Sequence, residues 1–377
     1  MSSVGKNGIH FHLDVVQDIG GFSLTNVEKG HYFWLLTRAT TNSDEPEFYK
    51  YIEQLSNPLF NKVGIFPDAV YQFLILIHKD LSADLYINDF LIAVELMIKR
   101  DVKKFEVIKN IDIADIRRVK FPNIEIVKTD KVIYCFKVYW KFGLFFDLNR
   151  ELDTEAMALI LGTLYRYLSF QYVYEVLESE TQFEEMIKDG WFPFIEIIGG
   201  EYKSLSEAYQ NKFHFEDTID KIVGNFDKER IGKITNKWWR NQIFEEKKDI
   251  LQAGINAFLR GDNEGYINCI KNLLTEAEGI IRLQYLRDTG KSVGVKKLLP
   301  YLLGKGRIKS ISDYSLLLPL PFFNYLDDVV FSNFDLETGQ VDLSRHSSSH
   351  GVAKAEAYTR IKALQAILVL DQIYFYI

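Results

Sequence analysis

The sequence predicts an N-terminal α+β domain followed by an all-α helical bundle. Three observations carry that expectation. Within the first 150 residues, β-branched and aromatic runs of strand length recur between turn-forming segments. Beyond Leu152 the pattern changes to helical periodicity with few breakers. The charge balance changes too: residues 1–230 hold 26 Lys+Arg against 36 Asp+Glu, whereas residues 231–377 hold 19 against 16. An acidic front and a mildly basic back read as separate modules. The expected division is a mixed α/β domain over 1–150, a helical connector over 151–230 and a bundle over 231–377.

The strands and helices follow in order. HYFWLLTRAT (31–40), QFLILIHKDLSADLYIND (72–89) and IAVELMIKR (92–100) read as strands, and EPEFYKYIEQLSN (45–57) carries a helical pattern. KVIYCFKVYWKFGLFFDL (131–148) reads as a hairpin turning near Lys141-Phe142-Gly143. Its first half alternates Ile133, Cys135, Lys137 and Tyr139 with Tyr134, Phe136, Val138 and Trp140. Both sets are largely apolar, which predicts a central hairpin covered on both faces. Asp153 is the expected N-cap of a helix over 154–177. A single helix is expected over 236–262, ending in Gly261-Asp262, and another over 263–290, closed by Gly290. A shorter one at VGVKKLLPYLL, one around PFFNYLDDVVF and a last helix from about Ser344 to the C-terminus complete the bundle.

Composition excludes several classes. Of 377 residues, 47% are hydrophobic and 26% charged, with 8 Pro and 23 Gly, unlike a disordered or fibrous chain. A chain this long buries a core without disulfide or metal staples. Its two cysteines, Cys135 and Cys269, sit in apolar runs and read as buried free thiols. MSSVGKNGIHFHLD lacks the layout of a secretory signal. AILVLDQIYFYI is interrupted by Asp371 and Gln372 and is too short to span a bilayer. A cytoplasmic protein without membrane contact is expected.

The richest stretch for chemistry is Asp342-Leu-Ser-Arg-His-Ser-Ser-Ser-His350-Gly351. On a helix, His346 and His350 are one turn apart on a shared face. Arg345 lies off that face, but its long side chain reaches round to the same cleft. The intervening serines keep the surface small and polar. Asp342 or Ser344 can cap the helix, and a helix N-terminus favours phosphate.

Arg345-His346-x-x-x-His350-Gly351 resembles the R-[Asn/Asp/His]-x3-H signature of HEPN domains, helical bundles widespread in bacterial defence and toxin systems. Ala277-Glu278-Gly279-Ile280-Ile281-Arg282 is similar to a second string that bacterial members carry on an earlier helix. The resemblance covers residues 231–377 and leaves the first 200 residues unassigned. It implies a HEPN-like bundle that homodimerises, and a metal-independent endoribonuclease leaving 2′,3′-cyclic phosphate and 5′-hydroxyl ends. It also implies catalytic roles for His350 as general acid-base, Arg345 as phosphate holder and His346 as an orienting group, in an anti-phage, abortive-infection or toxin setting. The alternative it leaves open is a non-catalytic HEPN-fold scaffold or antitoxin.

Lys291, Lys296, Lys297, Lys305, Arg307 and Lys309 form a run without acidic residues, a candidate RNA contact in which Gly304 and Gly306 loosen an LLGKGRIKS loop. That loop lacks the nucleoside-triphosphate pattern G-x4-G-K-[ST]. RNA is the expected partner, not DNA, with no cofactor. No metal is expected: His10 and His12 share a strand face without a third ligand, and His346/His350 lack an acidic companion. Trp238-Trp239 reads as a core or dimer contact, and Trp191-Phe192-Pro193-Phe194 as packing between the front domain and the bundle. The acidic, aromatic front domain suits sensing, regulation or binding of a protein trigger better than nucleic-acid binding.

Overall fold

The computed structural model describes residues 8–13, 20–310, 312, 314–332, 344, 345, 347 and 353–377. These divide into a sheet-rich unit, residues 1–96 with 116–171, and a mostly helical unit, residues 97–115 with 172–377. A sheet-rich N-terminal part followed by helices is the expected class. This division differs from the expected 1–150, 151–230 and 231–377: the helix after Asp153 groups with the strands, 97–115 group with the helices, and 172–230 join 231–377 in one unit.

In the first unit the strands are β1 (Ile9–His12), β2 (Phe22–Ser23), β3 (Leu35–Leu36), β4 (Arg38–Asn42), β5 (Phe73–Ile77), β6 (Ser82–Ile87), β7 (Ala93–Ile98), β8 (Ile113–Lys120), β9 (Lys131–Val138) and β10 (Lys141–Asp147), with β7 and β8 running on into the second unit. Six of them make an antiparallel sheet in the order β1-β6-β5-β9-β10-β4. The helices α1 (Pro46–Tyr51), α2 (Asn57–Lys62) and α3 (Thr154–Ser169) complete this unit.

The double apolar alternation of β9 explains why the sheet is covered on both sides. Val132, Tyr134 and Phe136 pack with Leu161, Leu164 and Leu168 of α3. Ile133 and Cys135 pack on the other face with Phe48, Leu59 and Phe60 from the α1–α2 region. Burial drives the Cys135 thiol well above its ordinary value, so it is an inert core group.

The hairpin turns at Tyr139-Trp140, because Val138 pairs with Lys141. A two-residue loop needs positive φ, supplied here by Tyr139 at +53°. Gly143, expected at the turn, lies inside the ladder instead. A Cβ there would fall 2.9 Å from Leu168 Cδ1, so its bareness admits α3.

Asp153 caps α3 by accepting from the Glu155 and Ala156 N–H groups. Gly162 then brings the helix onto the backbone of β8: a Cβ would sit 2.3 Å from the Arg117 carbonyl oxygen. Gly162→Ala should destabilise the protein by roughly 1–3 kcal/mol, because overpacking against backbone outweighs the gain in helix propensity. Urea unfolding checks this, and an unchanged midpoint would contradict the packing.

The second unit contains α4 (Gln171–Glu178), α5 (Glu180–Lys188), α6 (Glu201–Asn211), α7 (Phe215–Gly224), α8 (Lys228–Trp238), α9 (Gln242–Glu246), α10 (Lys248–Arg260), α11 (Asn263–Thr289), α12 (Val295–Ser310), α13 (Pro319–Tyr325) and α14 (Arg360–Tyr376). The single helix expected over 236–262 breaks, because the Asn241 side chain accepts from the Ile243 and Phe244 N–H groups and starts α9. α11 holds its expected bounds, capped by Asp262 and closed by Gly290 at φ +69°.

Trp191, Phe192 and Phe194 fill the core of this unit, with Phe192 5.3 Å from Phe322 and 5.4 Å from Tyr325 between ring centroids. That accounts for the aromatic cluster within one unit. The last helix begins at Arg360, not near Ser344. Thr359 caps it by accepting from the Lys362 N–H, and Ala355–Ala357 ahead of it forms a separate 3-10 turn. From Ala363 to Ile373 α14 is buried on every side, the mark of a central helix.

One anchor of α14 is ionic. Asp371, 1% exposed, lies 2.8 Å from Lys237 Nζ and accepts from Trp238 Nε1 at 2.8 Å. Trp238 is therefore a core contact with a satisfied indole N–H. Trp239 is half-buried, with Lys248 Nζ 5.4 Å above its ring.

Candidate functional site

α11 packs against α10 and α14, which buries Ala277, Ile280 and Ile281. The same helical face that buries these residues also takes in Glu278, whose side chain is 9% exposed. A carboxylate so placed needs charged or hydrogen-bonding partners. Arg282, one turn on, supplies the first: its Nη2 lies 2.5 Å from Glu278 Oε1, while its Nη1 donates to the Val293 carbonyl. Arg282 thereby ties α11 to the segment leading into α12.

The second partner is Arg345, whose Nη2 lies 2.9 Å from Glu278 Oε2. The structure thus joins the two separate strings singled out in the sequence at one carboxylate. The backbone at Arg345 is set by a reciprocal pair of serines. The Ser347 N–H donates to Ser344 Oγ at 3.2 Å, and the Ser344 N–H donates to Ser347 Oγ at 2.8 Å. Ser344 Oγ also donates to the Ser332 carbonyl at 3.0 Å. Ser344, one of the two cap candidates, makes a capping contact; Arg345 and Ser347 are helical, and the last helix α14 begins separately at Arg360.

Among the described residues, two guanidinium groups meet at this one carboxylate. Arg345, with a side chain 23% exposed, remains in contact with solvent. A planar guanidinium held at one edge by a carboxylate is oriented in a way a flexible ammonium would not be. His346 and His350, together with Asp342 and Gly351, lie outside the described residues.

Lys291, Lys296, Lys297, Arg307 and Lys309 are exposed. Lys305 is half-buried and pairs with Asp288 at 3.0 Å, an acidic partner three residues ahead of the basic run. LLGKGRIKS is helical, forming the second half of α12. Gly306 serves packing there, since a Cβ would fall 2.8 Å from the Tyr376 ring. Lys296, Lys297, Lys305, Arg307 and Lys309 therefore sit on a helix, with Lys291 in the segment ahead of it, and Lys309 donates to the Ile377 carbonyl.

Among the described residues, no group of three or more His, Cys, Asp or Glu is placed to hold a metal ion. No described helix is long and apolar enough to cross a membrane. No family model, no curated protein and no solved structure matches the chain.

Two charged clusters leave little trace in the sequence. Asp371 stood out only as a break in an apolar run, although a charge in such a run is itself the signal of a buried partner. His78 sits in a strand-like run, and the stretch Ile77-His78-Lys79-Asp80 and the pair His10/His12 are its only sequence signals.

Proposed function

We propose that the chain is a metal-independent endoribonuclease of HEPN type, acting as a homodimer through its helical unit. The observation that carries the reading is the convergence of Arg345 and the Glu278…Arg282 string at one carboxylate. Those two segments are the ones that carry the family resemblance, and they lie far apart in sequence.

Arg345 is the phosphate-holding group. Its guanidinium is permanently charged and presents planar donors, which suits the equatorial oxygens of a phosphodiester as negative charge builds on them. Glu278 acts through Arg345 as a positioning residue. His350, five residues beyond Arg345 in sequence, is the general acid-base. With an ordinary pKa of ~6.5, an imidazole can take the 2′-hydroxyl proton and return one to the leaving oxygen near neutral pH. The 2′-oxygen bonds to phosphorus, the P–O5′ bond breaks, and the products are a 2′,3′-cyclic phosphate and a 5′-hydroxyl. His346 assists in orientation. In the dimer, two copies of the motif form one composite site. The exposed cations of α12 offer the RNA backbone a further basic surface.

A role in anti-phage defence, abortive infection or toxicity follows from this activity, with the sheet-rich unit as regulator of a restrained nuclease. A scaffold would use the same Arg345–Glu278 pair as a purely structural tie. Expression in a bacterial host separates the two. Wild type should slow growth, and His350→Ala should not. Equal growth of the two strains, with equal protein levels, favours the scaffold.

A further inference from the structure

A chain of four ionisable side chains crosses one end of the large sheet. His10 on β1 stands directly opposite Asp84 on β6. His78 follows the end of β5, where Ile77 pairs with Lys131, and Asp130 immediately precedes β9. The side chains close the line. His10 Nδ1 lies 2.9 Å from Asp84 Oδ1, and His78 Nε2 lies 3.1 Å from Asp84 Oδ2. His78 Nδ1 lies 2.9 Å from Asp130 Oδ1.

Asp130 is 1% exposed and also accepts from the Val127 N–H, so it is a fixed terminus. His10, with a side chain 62% exposed, is the other end. The ladder therefore links β1, β6, β5 and the start of β9. Of these, β1 is the edge strand, four residues long and mostly exposed.

His78 meets a carboxylate at each ring nitrogen. Carboxylates accept and do not donate, so only the imidazolium satisfies both contacts. Loss of the proton turns one contact from attraction into lone-pair repulsion. We propose that the Asp130–His78–Asp84–His10 ladder is a protonation-dependent clasp, closed when His78 is charged and loosened when it is neutral, that holds edge strand β1 on the sheet. This is independent of the ribonuclease reading.

Among the described residues, the other charged groups around His78 are few. Lys79 and Asp80 occupy the β5–β6 turn, and Asp80 is taken by the Ser82 hydroxyl at 2.6 Å. His12 lies on β1, and Lys131 opens β9. Tyr86 on β6 is pushed above its ordinary value of 10 by burial and by Asp84, so it stays neutral across the window.

Burial pulls the His78 pKa down, but the hydrogen bonds to Asp130 and Asp84 outweigh it and the net shift is upward. Burial likewise raises Asp84, and its two histidine contacts more than reverse that. A raised folded value means the stabilisation is complete below ~6.5, the unfolded value. It is then lost as pH rises through the folded value. Loosening β1 uncovers backbone donors and acceptors of β6, an edge on which another strand can pair.

The test is amide exchange in the full chain, as protection factors corrected for intrinsic rate, followed from pH 5.5 to 8.5 with the His78 ring titrated by NMR. The probes are the β1 amides and Leu13 N–H, which donates to the Leu81 carbonyl at 2.9 Å. Protection of β1 should fall by roughly tenfold, the scale of one charge-assisted hydrogen bond, as the ring deprotonates. The central strand β5 should be unaffected. His78→Gln should remove the pH dependence. If that variant fails to fold, Asp130→Asn should lower the ring pKa and move the transition with it. Wild-type β1 protection that is flat across this range overturns the proposal. So does a pH dependence that survives in His78→Gln or fails to move in Asp130→Asn.

Discussion

Arg345→Ala should reduce RNA cleavage by roughly 10²–10³-fold, the usual consequence of removing one preorganised donor from a developing oxyanion. The fold should survive. Arg345 is partly exposed, and Glu278 keeps Arg282 as an ionic partner when Arg345 is removed. A stability loss within about 1 kcal/mol is the expected scale for a partly exposed ion pair of this kind. Arg345→Lys should stay close to the alanine variant in rate, since an ammonium keeps the charge but not the fork. Glu278→Gln should lie between wild type and Arg345→Ala, because it loosens the guanidinium without deleting it. Cleavage rates measured beside urea midpoints separate loss of chemistry from loss of fold. An Arg345→Ala variant as active as wild type removes Arg345 from the site.

The largest effect on stability belongs to the centre of the helical unit. Asp371→Ala should cost about 3–5 kcal/mol, because it leaves the Lys237 ammonium buried without its close carboxylate and the Trp238 indole N–H without its acceptor. Lys237 retains Glu196 at 3.8 Å, which places the loss toward the lower part of that range. Chemical unfolding monitored by tryptophan fluorescence reports it directly. Asp371→Asn is the informative companion: an amide still accepts from Trp238 but does not balance Lys237, so it should recover part of the loss. A wild-type midpoint for Asp371→Ala would show that this cluster is not an anchor of α14.

Much of this architecture was legible in residue patterns. β9 announced itself as a central strand because apolar residues occupy both of its faces, and the structure buries both. Asp153 and Gly290 mark helix ends by side-chain capping and left-handed geometry that depend on local sequence alone. What failed was decided by tertiary contact. Gly143 looked like a turn residue but is small to admit α3, and Gly306 looked like loop flexibility but is small to admit Tyr376. The start of α14 was misplaced because the serine-rich segment near Arg345 carries its own cap, and a second cap at Thr359 does not stand out in composition.

The site itself was legible only in part. Arg345 and the Glu278 string were visible as separate motifs. Glu278 and Arg282 pair at i,i+4 spacing on α11, but that Arg345 joins the same carboxylate is a tertiary contact that no spacing rule shows. The His78 ladder is a cross-strand relation set by register, so its members are scattered over residues 10, 78, 84 and 130. The Lys237–Asp371 pair joins α8 to α14 across the unit in the same way.

The most direct test of the ribonuclease reading is incubation of purified wild type and His350→Ala with total RNA and tRNA in EDTA, with the fragment ends mapped. The account predicts cleavage by wild type alone, leaving 2′,3′-cyclic phosphate and 5′-hydroxyl ends. Cleavage that EDTA abolishes, ends of the opposite polarity, or equal cleavage by His350→Ala would contradict it.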